Sequence, residues 1–137
     1  MTTITEDYVS FGTAKLLKEK GFPQDPNICN TAYTLSGKLS NNAKSFAHNT
    51  ALLNELGILS RTYSMAPTLQ MAMKWLREKY YIYADPIKQG NYNDCSEYYT
   101  WIVARMGIIH RNPSVADKLS YEEAAEAALK YSLENLI

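Results

Sequence analysis

"APTLQMAMKWLREKYYIYADP" (residues 66–86) decides the fold class, because two different hydrophobic periods meet inside it. Leu69, Ala72, Met73, Leu76 and Tyr80 recur at i, i+3, i+4, i+7 and i+11, the stripe of an amphipathic helix. Met71 and Trp75 widen that arc, while Gln70, Lys74, Arg77 and Glu78 form the polar face. Pro67 or Thr68 opens the helix, as a first-turn proline or as a capping hydroxyl. The period then changes. "YYIYADPI" is aromatic and β-branched with a closing proline, which reads as a strand. A helix handing over directly to a strand indicates an α+β chain, and it leaves a cluster of tyrosines at the junction to be explained.

The flanking segments extend this pattern. "YYTWIVARMGII" (98–109) reads as a strand, with Tyr99, Trp101 and Val103 on one side and Tyr98, Thr100, Ile102 and Ala104 on the other. The two strands flank the polar loop "KQGNYNDCSE", so antiparallel pairing is the simplest arrangement. Near the start, "SFGTAKLLKEKGF" reads as a helix capped by Ser10. Gly21 supplies the left-handed residue that ends it, and Phe22 folds back on Leu17. In "LSYEEA", Ser120 and Glu123 form a capping box for a last helix whose buried stripe is Ala125, Ala128, Leu129, Ser132, Leu133 and Leu136. "FPQDPNICN" is a loop, and "TAYTLSGKLSNN" contains a short strand with Tyr33 and Leu35 on one face. Around Leu52, Leu53 and Leu56 a short helix is expected, stopped at Gly57-Ile58.

The expected architecture is therefore a single α+β domain over residues 1–137. Helices at 10–20, 67–79 and 121–135 pack on a small antiparallel sheet built near 31–36, 80–85 and 98–106. A chain of 137 residues can bury a core of this size without staples. Fourteen Lys and Arg balance 14 Asp and Glu, so the field needed for non-specific nucleic-acid binding is missing. From Asp117 onward five acids face two bases, a modest polarity best explained by a solvated helix face. No apolar run is long enough to span a bilayer, and the opening "MTTITEDYVSFG" is too polar for a secretory signal. Cys29 and Cys95 are far apart, which suits free thiols in a reducing cytoplasm.

Few residues are arranged for catalysis. Cys29, His48, Cys95 and His110 lack the paired spacing of a metal site, so no metal or other cofactor is expected. The six glycines fall in no phosphate-binding loop. Glu122 and Glu123 are accounted for by the helix dipole they face. No catalytic residue can be named, and a non-enzymatic protein is the expectation, with an active site assembled from distant residues ranking third.

The 11 tyrosines carry more information. On paired strands half of them face the helices and complete the core, and the other half face outward. Outward aromatics suit a protein interface, a stacked base or a planar ligand. The candidate residues are Tyr81, Tyr83, Tyr98, Tyr99, Trp101, Arg77 and Arg105, with the arginines available to an anionic ligand. Self-association as a homodimer ranks first, because it buries the same residues without requiring a ligand.

"TEDYVSFGTAKLLKEKGF" (5–22), "APTLQMAMKWLREKYYIY" (66–83) and "SYEEAAEAALKYSLENLI" (120–137) together resemble short uncharacterised proteins encoded by phages and prophages of Bacteroides-group gut bacteria. The resemblance implies an accessory protein of phage origin in the cytoplasm of a bacterial host, and it supplies no site residues. Such a protein is expected to act by binding a host protein or itself. The alternative is a counter-defence protein that sequesters a nucleotide-like molecule.

Overall fold

The computed structural model describes residues 7–25, 31–34, 36–40, 63–89, 98–113 and 119–137. The expected face shared by Tyr33 and Leu35, the helix around Leu52–Leu56, and Cys29, His48 and Cys95 involve positions outside the described residues. The described chain is α+β, with three helices and two small antiparallel sheets of three strands each. It divides into two compact units, Tyr8–Thr68 and a second made of Leu69–Ile137 with the segment ending at Asp7.

In the first unit, helix α1 (Phe11–Glu19) begins at Ser10, whose hydroxyl accepts from the Thr13 amide. The helix ends as its sequence predicts. Gly21 is left-handed (φ 96°), the Phe22 amide donates to the Leu17 carbonyl at 2.8 Å, and the Gly21 amide donates to Lys18 at 3.2 Å. Strand β1 (Ala32–Thr34) pairs antiparallel with β2 (Leu39–Ser40) and with β3 (Tyr63–Met65). Helix α1 packs on β3, burying Ala14 and Leu17 in one core with Val9, Phe22, Ala32, Tyr63 and Met65. The Tyr33 hydroxyl donates to the Val9 carbonyl at 2.7 Å, and Gln24 accepts from the Met65 amide at 2.8 Å.

In the second unit, α2 (Leu69–Tyr80) leads into β4 (Ile82–Lys88), followed by β5 (Tyr99–Arg105), β6 (Ile108–Arg111) and α3 (Tyr121–Asn135). The strands run β4-β5-β6, all antiparallel. Helix α3 packs across β4 and β5 and against α2, which also contacts β4. The predicted capping box is present: Ser120 accepts from the Glu123 amide, and Glu123 accepts from the Ser120 amide. Small residues on its buried side, Ala124, Ala125, Ala128 and Ser132, let α3 lie close over Ile82, Ala84, Trp101 and Val103.

Three features differ from the sequence expectation. Residues near 31–36 do not extend the sheet formed by 82–88 and 99–105; they lie in a separate sheet with β3, a pairing that no local pattern encodes. The strand expected near 98–106 is present as β5, but the apolar run containing it folds back at Met106-Gly107 into a further strand, β6, that was not expected. Finally, Pro86 does not end β4. It pairs with Trp101 on an edge strand. The Trp101 carbonyl accepts from the Asn112 amide on the β6 side, so position 86 owes β5 no N–H and a proline fits there.

Candidate functional site

The tyrosine cluster is divided between the two faces of the β4-β5-β6 sheet and the end of α2. Tyr80 closes α2 with its ring edge-on to Trp75, at 5.3 Å between centroids. Tyr81 then adopts a left-handed backbone (φ 55°), a conformation normally given to glycine, and this turns the helix into β4. That turn answers how the helix meets the strand without a loop. It also leaves the Tyr81 side chain 70% exposed.

On the inner face, Tyr99 is edge-on to Tyr121 at 5.5 Å, and Trp101 lies 5.1 Å from Tyr131 and is buried. His110 joins this group, with Nδ1 3.0 Å from the Tyr131 hydroxyl. Arg105 points the same way and donates to the Leu136 carbonyl at 2.6 Å, placing its cation at the negative end of α3. Alternation thus places both Trp101, which is buried, and Arg105, which is engaged with Leu136, on the α3 side of the sheet and not on its outer face. Arg77 is half-buried in the last turn of α2, not on the sheet. Tyr98 is half-buried, and its carbonyl accepts from the Gln89 amide at 2.8 Å.

The opposite face of the sheet is different. Cross-strand register arranges it in rows: Tyr83, Ala104 and Ile109 in one, Asp85, Ile102 and Arg111 in the next, then Ile87 and Thr100. Tyr83 is 50% and Ile109 54% exposed, and Ile87, Ile102 and Ala104 are only half-buried. Asp85 and Arg111 are exposed and make no ion pair with a described residue.

This face continues to the end of the sheet where Tyr81 lies. Tyr81 directly precedes Ile82 and Met106 directly follows its partner Arg105, so both lie at this end of the sheet, Met106 as the first residue of the two-residue turn into β6. Met106 is also left-handed (φ 51°) and is 88% exposed. Tyr81 and Met106 are the described non-glycine residues with positive φ, and Ile108, which pairs with Arg105 on the α3 side of the sheet, is 62% exposed at the same end. An apolar end and face result. Sequence reasoning offered Tyr81 and Tyr83, and Arg111 as one of the basic residues near them, but did not single out Asp85 on β4, and it missed Met106, Ile108 and Ile109 because the segment after residue 106 was not read as a strand of its own. The one available signal was Gly107 inside an otherwise apolar run.

Among the described residues, no cluster of three His, Cys, Asp or Glu side chains is placed to hold a metal. No helix among them is long and apolar enough to cross a membrane. No family model, curated protein or solved structure matches this chain.

Proposed function

We propose that this chain is a non-enzymatic accessory protein that acts by binding, through the outer face of β4-β5-β6 and the adjoining end at Tyr81 and Met106. One observation carries the reading: two exposed residues, Tyr81 and Met106, hold a left-handed backbone at the same end of the sheet, next to the outer row of Tyr83 and Ile109. Each left-handed non-glycine residue costs roughly 1–2 kcal/mol, so a fold selected for stability alone has reason to place asparagine or glycine there. A large apolar side chain displayed at such a cost is understandable as a contact residue. The resemblance to Bacteroides-group phage proteins supports a setting in the host cytoplasm.

The nucleotide-sequestering alternative has less support. Of the residues expected to serve it, Arg105 is engaged with Leu136, Trp101 is buried and Arg77 stands on α2, which leaves Arg111, one row from Tyr83, as the described arginine on the outer face. The test is native mass spectrometry of protein purified gently from a Bacteroides-group host, for wild type and for the pair Tyr83→Ser with Ile109→Ser. The expected result is a polypeptide complex in the wild type that is lost in the variant. A wild type that appears only as a bare monomer, like the variant, contradicts the reading. A small-molecule mass excess in place of a polypeptide favours the alternative.

A further inference from the structure

Building on that reading, we infer that the outer face of β4-β5-β6 binds a second copy of this chain, face to face, about a two-fold axis running along β5. The rows of the face carry the inference. Asp85 on one edge strand and Arg111 on the other flank Ile102 in a single row, and both are exposed without an ion-pair partner among the described residues. Rotation about an axis along β5 exchanges the two edges. Asp85 then lies over Arg111 of the second copy, Tyr83 over its Ile109, and Ile102 and Ala104 over themselves. The pattern is self-complementary, as a two-fold interface requires.

Two axes running across the strands fail on the same residues. An axis across the strands through this row stacks Asp85 on Asp85 and Arg111 on Arg111. Shifted to lie between the rows, it buries Asp85 against Tyr83 and Arg111 against Ile109, leaving both charges unpaired at a cost. The axis along β5 also keeps the strands of the two sheets close to parallel, the geometry of aligned sheet packing at about 10 Å separation, which long Asp and Arg side chains can span.

The face is small. Three strands about 4.8 Å apart, the longest about 23 Å, give a contact below the roughly 800 Å² per partner of a standard interface, so the dimer should be weak and exchange with monomer at roughly micromolar concentrations or above. This defines the experiment: sedimentation of the full chain over a concentration series spanning that range, for wild type, Asp85→Arg, Arg111→Asp and the double exchange. The wild type is expected to dimerise, each single reversal to weaken dimerisation by about tenfold or more, and the double exchange to recover it. All positions are exposed, and far-UV circular dichroism confirms that each variant is folded. A monomeric wild type overturns the inference. So does a dimer indifferent to the single reversals, or one that the double exchange fails to restore, because the contact then lies elsewhere. A monomeric wild type that still binds another polypeptide through Tyr83 and Ile109 overturns this inference alone and leaves the binding reading intact.

Discussion

Tyr81 and Met106 show what a single residue can conceal in a sequence. Neither is a residue type that favours left-handed backbone, so nothing at positions 81 or 106 announces a turn. Met106 precedes Gly107 (φ 83°) in a two-residue hairpin turn that asparagine at the first position would suit. Met106→Asn is therefore expected to raise stability by about 0.5–1 kcal/mol, read as a higher urea midpoint, while weakening binding. The two faces of the sheet make an opposite pair of predictions. Trp101→Ala should cost about 3–5 kcal/mol, because it empties the core beneath Tyr131. Tyr83→Ser should change stability by no more than about 0.5 kcal/mol in the same denaturation assay. Tyr63 gives a pH dependence. Burial, with Asp25 adding to it, holds its phenol above the ordinary value of 10.0. Above that pH the unfolded chain releases a proton that the folded chain retains, so stability falls as pH rises toward the folded value. Burial of Lys18 lowers its pKa below 10.5 and acts with the opposite sign. Tyr63→Phe should flatten the alkaline decline in denaturation midpoint, and an unchanged decline would assign it to other groups.

At the scale of elements, legibility followed local chemistry. Helix α3 was read to its residue limits because its start is written in side chains, with Ser120 and Glu123 exchanging hydrogen bonds with each other's amides. Ser120→Ala should cost about 1 kcal/mol by chemical denaturation with no effect on binding. The end of α1 was equally plain, since Gly21 and Phe22 are the residues its terminating motif demands. Strands were harder. A proline was read as the end of β4, yet on an edge strand the outward-pointing position tolerates it. Strand β6 was missed because Met-Gly is a weak turn signal, and with it went half of the candidate surface.

Across the whole molecule, the α+β class was legible and the partition into two sheets was not. Pairing β1 with β3 joins residues about thirty positions apart, and the sequence carries propensity and face but not partner. The same limit applies to the site. Alternation along β4 correctly set Tyr83 outward, whereas the rows that join Tyr83 to Ile109 and Asp85 to Arg111 exist only once β6 is in register. The central claim is that this assembled face is where the chain binds. Its most direct test is a photo-crosslinking amino acid placed at Tyr83 and, as a control, at Glu78 on the exposed side of α2, with the protein expressed in bacterial cells. The account predicts a light-dependent polypeptide adduct at position 83, at twice the chain's own mass when the partner is a second copy, and none at position 78. Equal labelling at both positions, or none at 83, would contradict it.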